Sequence, residues 1–239
     1  MSNGIVISLY DYTGEAVRPW AEAGYDCYCY DIQHEGAIEQ VEGGGTIRYL
    51  NADLHSYETM ASIYDAFVDD PVVFAMAFHV CTDLAVSGAA HFKAKAQRDP
   101  DFQRKAAGYA MWCAEVFDDW DVPYYIENPV SVLSTLWRKP DYSFHPYQYG
   151  GYIPRGEAIH PKWPDYIAPL DAYPKKTCLW TGGGFVMPAT KPVEVEEGYS
   201  RQHNLLGGKS AKTKNIRSAT PRGFARAVFE TNQVKEQAA

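Results

Sequence analysis

Apolar positions over the first 130 residues follow two periods that take turns. The runs "GIVISLYDY" (4–12), "YDCYCYDI" (25–32), "GTIRYLNADL" (45–54), "PVVFAMAFHV" (71–80) and "VPYYIENP" (122–129) are short and rich in β-branched and aromatic residues, and they predict strands. Between them "EAVRPWAEAG" (15–24), residues 56–69 and "FQRKAAGYAMWCAEVFDDW" (102–120) carry helical spacing. Pro19 falls in the first turn of its helix, where a missing N–H removes no hydrogen bond. The fourth run has no polar alternation, as a strand covered on both faces requires. Strands alternating with helices predict an α/β fold, a doubly wound and mostly parallel sheet. Ligands of such sheets bind beyond the carboxyl ends of the strands.

Past residue 135 the pattern loosens. Aromatic residues (18 Tyr, 6 Trp in all) gather between prolines and glycines, which predicts ordered loops over the strand ends with most rings in the core. "FVMPATKPVEVEEGY" (185–199) reads as a proline-rich, strand-like stretch. Residues 201–229 hold Arg201, Lys209, Lys212, Lys214, Arg217, Arg222 and Arg226 with no acid before Glu230. A basic Gly- and Ser-bearing loop leading into a capped helix, "SATPRGFARAVFE" (218–230), suits phosphate binding. We therefore expect a core at residues 1–135 and a loop-rich portion at 136–239 packed on it, without a separate large recognition domain.

Five cysteines lack paired spacing, and Cys27 and Cys29 share one strand face, so free thiols in a reducing, cytoplasmic setting are expected. No basic segment opens the chain as in a signal peptide, and no apolar run approaches the roughly 20 residues of a membrane span. A formal net charge of −8 argues against nonspecific coating of nucleic acid, though not against a local basic groove. The histidine and cysteine spacing matches no zinc finger, so no metal is expected.

Polar residues collect where the predicted strands end: Asp11 and Gly14, then Asp31, Asp53, Cys81, and Glu127 with Asn128. An acid ending the second strand of a βαβ unit accepts hydrogen bonds from a ribose hydroxyl, which selects Asp31. The "DYTGEA" turn lacks the full glycine fingerprint of pyrophosphate binders, so a nucleoside cofactor without phosphates, S-adenosylmethionine, fits better. Its ribose would meet Asp31 and Ile32, and its adenine edge Asp53 and Leu54. Its amino-acid end would meet the backbone from Tyr10 and Asp11 to Thr13 and Gly14.

The stretch "FHVCTDLAVSG" (78–88) then resembles the catalytic motif of the cytosine-C5 DNA methyltransferases, Pro-Cys-Gln-x-Phe-Ser-x-x-Gly. Leu84, Ala85 and Gly88 stand at the Phe, Ser and Gly spacings from Cys81, and "YIENPV" is similar to the Glu-Asn-Val motif through Glu127 and Asn128. "SLYDYTGEAVRPWAEAGYDCYCYDI" is similar to the first cofactor motif, and later segments resemble only short phage and prophage versions. The resemblance implies a Rossmann-like methyltransferase fold, with Cys81 as nucleophile at C6 of cytosine and Glu127 holding the ring's N3 edge. A target base in duplex DNA would have to leave the stack.

Two departures stand out: His79-Val80 replaces Pro-Pro, and Thr82 replaces Gln. His79 is either a satisfied strand-end histidine or an aid to Cys81 ionisation. His79, Thr82 and Ser87, with Lys176, Lys209, Arg217 and Arg222, are the candidates for contacting substrate or its phosphates; Lys175 and Thr177, on either side of Lys176, could meet a substrate phosphate as well. The substrate is expected to be DNA or a free cytidine nucleotide such as dCMP or dCTP. A retired relative that binds nucleotide or a partner is the third possibility.

Overall fold

The computed structural model describes residues 2–208 and 210–233. One eight-stranded sheet organises them. Its strands are β1 (Ile5–Leu9), β2 (Asp26–Asp31), β3 (Ala37–Gln40), β4 (Thr46–Asn51), β5 (Val72–Ala77), β6 (Tyr124–Pro129), β7 (Tyr142–Phe144) and β8 (Thr177–Gly182). The spatial order is β3-β4-β2-β1-β5-β6-β8-β7. The five central strands, β4 to β6, are parallel; β3, β8 and β7 run antiparallel at the flanks. This is the expected doubly wound, Rossmann-like arrangement, with strand order reversing between β1 and β5.

Helices cover both faces. On one, α2 (Tyr57–Phe67), α4 (Phe102–Asp119) and α5 (Leu133–Leu136) enclose Ile7, Leu9, Ala75, Ala77, Ile126 and Trp180. On the other, α1 (Arg18–Glu22) and α8 (Arg222–Asn232) enclose Val6, Phe74, Met76, Tyr125 and Leu179. Trp20 stacks on Phe74 at 4.9 Å and meets Phe229 edge-on at 5.2 Å, so α1 and α8 share one layer. A truncation as large as Trp20→Ala there costs roughly 3–5 kcal/mol. A third, smaller core joins Ile167, Ala168 and Tyr173 to Leu206, Ile216 and Ala219. Among the described residues no helix is long and apolar enough to cross a membrane.

Several elements depart from the sequence pattern. The first helix is shorter than expected, with Val17 at its N-cap and Pro19 in its first turn. β3 goes unannounced because its residues are largely exposed on an edge and carry no apolar alternation. Residues 185–199 form no strand. Their backbone instead straps across the 147–151 segment, with the amides of Lys191 and Val193 donating to the carbonyls of Gln148 and Tyr147 at 2.9 Å each. The basic stretch is not simply a loop. Ser200 and Ser210 cap α6 (Arg201–Leu205) and α7 (Ala211–Ser218), their hydroxyls accepting from the amides of His203 and Thr213. The remaining helix, α3 (Phe92–Arg98), follows a 3₁₀ turn at Val86–His91.

Candidate active site at the carboxyl ends of the strands

The β1 turn is built around Asp11. Tyr10 takes a left-handed φ of 59°, which turns the chain so that the buried Asp11 carboxylate faces back into its own loop. Its Oδ1 accepts from the amides of Thr13 (3.0 Å) and Gly14 (2.8 Å), and its Oδ2 from the Ser8 hydroxyl (2.9 Å). Asp11 therefore shapes the turn and presents its backbone. Gly14 has φ +69°, and a Cβ there would lie 2.6 Å from the Tyr49 hydroxyl, so the position admits only glycine. The Tyr10 hydroxyl donates to the carbonyl of the buried Leu54 at 3.1 Å, tying the ends of β1 and β4 together.

At the end of β2, Asp31 accepts through Oδ1 from the Gln33 amide (2.8 Å) and the Gln33 side-chain Nε2 (3.2 Å). Oδ2 makes no hydrogen bond among the described residues. Ile32 beside it is 63% exposed, an apolar surface with nothing covering it. Asp53 is exposed and accepts from the His55 amide at 3.1 Å. A cavity of about 170 Å³ opens past the ends of β4 and β5, lined by His55, His79, Val80, Phe102, Ala106 and Tyr109 and rimmed by Asp83, Asp99 and Lys105. His55 lies flat on Tyr109 with ring centres 4.1 Å apart. His55, Phe102 and Tyr109 were missed in the sequence because nothing local marks a helix face that looks onto strand ends.

The ends of β5 and β6 meet next. Phe78 continues the β5 line, its amide donating to the Leu9 carbonyl at 3.0 Å, and His79 turns inward. His79 is 3% exposed, lies edge-on to Tyr10 at 5.6 Å, and neither ring nitrogen has a hydrogen-bond partner among the described residues. Burial pushes its pKa down to about 3. It is a neutral ring at neutral pH and supplies no charge to favour a Cys81 thiolate. Among the described residues the ring is buried without a hydrogen-bond partner. Asn128, fully buried, donates from Nδ2 to the His79 carbonyl at 3.0 Å. Its role in the geometry is to hold the Cys81 loop.

Cys81 is half-buried, whereas Cys27, Cys29, Cys113 and Cys178 are buried. Its carbonyl accepts from the amides of Leu84 (3.0 Å) and Ala85 (2.8 Å), a tight turn that continues through the Ala85–Ser131 bridge to the segment after β6. Burial chiefly, and the Glu127 charge second, push the thiol up; Lys175 pulls it down. Burial likewise pushes the Glu127 carboxyl up against the pull of Lys175. Glu127 and Lys175 line one narrow pocket with Phe78, Tyr125, Phe144 and residues 218–221. Lys175 is thus the cation of this site. The sequence offered Lys175, Lys176 and Thr177 together; of the two lysines, Lys176 is exposed.

The other candidate substrate residues scatter. Thr82 and Ser87 present exposed side chains beside Cys81, and the Thr82 carbonyl accepts from Lys95 at 3.0 Å. Arg217 donates to the Leu206 carbonyl at 2.6 Å. Arg222 donates to the Ala158 carbonyl at 3.2 Å and faces a separate charged cleft with Glu15, Arg18, Lys162 and Arg226. The first turn of α8 does not wait for phosphate: the Gly223 amide donates to the buried Asp171 carboxylate at 3.0 Å. Lys209 lies outside the described residues.

No family model matches this chain, and no curated protein matches it. Among solved structures it is similar to an E. coli prophage-encoded protein provisionally described as a DNA modification methyltransferase, at 12% identity and a TM-score of 0.41. The match covers 74% of this chain and 46% of that one, so the chain spans less than half of that protein's length. Nothing about activity follows from a likeness of that size.

Proposed function

We propose that this protein transfers a methyl group from S-adenosylmethionine to C5 of cytosine in DNA, through a covalent bond between the Cys81 sulfur and C6. The observation that carries this reading is that Cys81 follows β5, Glu127 lies in the neighbouring parallel strand β6 and shares a pocket with Lys175, and the charges of both act on the Cys81 thiol. The fold supports it, since both features lie where a doubly wound sheet binds ligands.

Tyr10, the Asp11–Gly14 backbone, Asp31, Ile32, Asp53 and Leu54 would hold the cofactor, with His55, Val80 and Tyr109 around its base. When bound, it supplies an electrophilic methyl group on a sulfonium. The chain's own residues do the rest. Lys175 favours loss of the Cys81 proton to solvent, and the thiolate adds to C6 as the ring's electrons move toward C5 and N3. Glu127, whose burial favours the protonated form, is placed to give its proton to N3 and so neutralise that charge. After C5 has taken the methyl group, a base removes the C5 proton. The electron pair of that C–H bond then re-forms the C5–C6 double bond and expels Cys81 as thiolate, and N3 returns its proton to Glu127. Asn128 keeps the nucleophile's loop in register with Glu127 throughout.

The test is methyl-labelled S-adenosylmethionine with duplex DNA, single-stranded DNA, dCMP or dCTP, alongside Cys81→Ala. Label in DNA that is lost in the variant supports the proposal. Label in a mononucleotide alone moves the activity to free nucleotides. No label with cofactor bound leaves a binding relative.

A further inference from the structure

Helix α7 touches the crevice at two separated points. Near β2, Asn215 Nδ2 donates to Gln33 Oε1 at 3.2 Å. Near β8, the Arg217 carbonyl accepts from Lys175 Nζ at 2.8 Å. Between them Ile216 is fully buried in the small C-terminal core against Ile167, Tyr173 and Leu206, so the helix is held in place by its own packing. The two contacts look toward different chemistry. Gln33 is the residue whose Nε2 and backbone amide hold Asp31 Oδ1, whereas Lys175 shares its pocket with Glu127.

The amide of Gln33 has two ends, and only one orientation serves both neighbours. Asn215 Nδ2 is a donor and demands Oε1 on its side, which turns Nε2 toward Asp31. Were the amide reversed, its carbonyl oxygen would face the Asp31 carboxylate and repel it. From this geometry we infer that Asn215, 182 residues distant from Gln33 in sequence, is a positioning residue of the nucleoside site. It fixes the Gln33 amide so that Asp31 Oδ1 is held and Oδ2 is left for the ribose diol. The inference rests on the proposed role of Asp31. It extends that role to the C-terminal portion, where nothing in the sequence signals a contact with the cofactor.

The experiment is calorimetric titration of S-adenosylhomocysteine into the full chain, as wild type, Asn215→Ala, Asn215→Asp, Gln33→Ala and the Gln33→Ala/Asn215→Asp double variant. Asn215→Asp is nearly isosteric but replaces the donor with an acceptor, so the new carboxylate competes with Asp31 for the Gln33 Nε2. It is expected to weaken binding about tenfold, the factor of one hydrogen bond to a charged group. Asn215→Ala, which merely releases Gln33, should weaken it less. In the Gln33→Ala background Asn215→Asp should do nothing further. A residue that only stabilised α7 would treat Ala and Asp alike and lower the melting temperature in step with affinity. Wild-type binding with an unchanged Asn215→Asp overturns this inference alone, as does an Asp effect that persists without Gln33. Absence of binding by the wild type removes the nucleoside reading and this inference together.

Discussion

Asn128 donates its side-chain amide to the carbonyl of His79 at 3.0 Å, joining the end of β6 to the loop that carries Cys81. The bond is fully buried, and the acceptor oxygen Oδ1 of the same amide has no hydrogen-bond partner among the described residues. Asn128→Ala should therefore cost about 1–3 kcal/mol, through the unsatisfied His79 carbonyl. Asn128→Asp should cost more, since a buried carboxylate would face that carbonyl. Thermal melts read the stability. The rate of Cys81 alkylation at fixed pH reads the loop, and both variants should change it.

The ionisation of Cys81 is set by neighbours of opposite sign. Removing the Glu127 charge (Glu127→Gln) should move the inflection of alkylation by iodoacetamide to lower pH. Removing the Lys175 charge (Lys175→Met) should move it to higher pH. Because the other four thiols are buried, mass spectrometry of the folded protein should find the label at Cys81. A Lys175→Met profile that coincides with wild type would remove Lys175 from the site.

His79 makes the fold acid-sensitive. Its folded pKa lies near 3, below the ordinary 6.5, so the unfolded chain binds the proton more readily. Its contribution is complete above about pH 6.5 and is lost as pH falls toward 3. His160, pushed down to about 4 by burial and then by Arg222 and Lys162, acts in the same direction. Asp171, raised to about 6 by burial, opposes them, since its carboxyl holds a proton more readily in the folded chain. Comparing melting temperatures at pH 7.5 and pH 5, His79→Leu should lose less than wild type on acidification.

Gly14→Ala should both strain the β1 turn, by about 1 kcal/mol or more for the left-handed φ, and drive a methyl group into Tyr49. Tyr49→Phe removes the nearest atom, the hydroxyl at 2.6 Å, and should recover part of the loss. A double-mutant cycle on melting temperature measures the recovery, and additive losses would show that the backbone strain alone is responsible.

The parallel strands and the acid-bearing ends were legible because each is a local signal: an apolar run of fixed length, then Asp11, Asp31, Asp53, Cys81 or Glu127 where it stops. The C-terminal elements were not. β7 has three residues, and β8 is hard to tell from the aromatic loops around it; only pairing with β6 makes them strands. Lysines 175 and 176 are adjacent in sequence, and only the path of the chain into β8 decides that the first joins Glu127 and the second meets solvent. Arg222 looked like a phosphate ligand by composition, yet its place is fixed by Ala158, which precedes it by 64 residues. Local propensity has no access to such contacts.

The sharing of one layer by α1 and α8 has a consequence for biosynthesis. Trp20 waits for Phe229, and Tyr125 and Phe144 wait for Phe224, at ring separations of 5.2, 5.9 and 3.9 Å. A nascent chain that has emerged only through Asn128 already carries Cys81 and Glu127, but one face of its sheet is covered by α1 without α8. Completion of that face is deferred until α8 has left the ribosome, so ribosome-bound fragments should stay protease-sensitive until that helix is out.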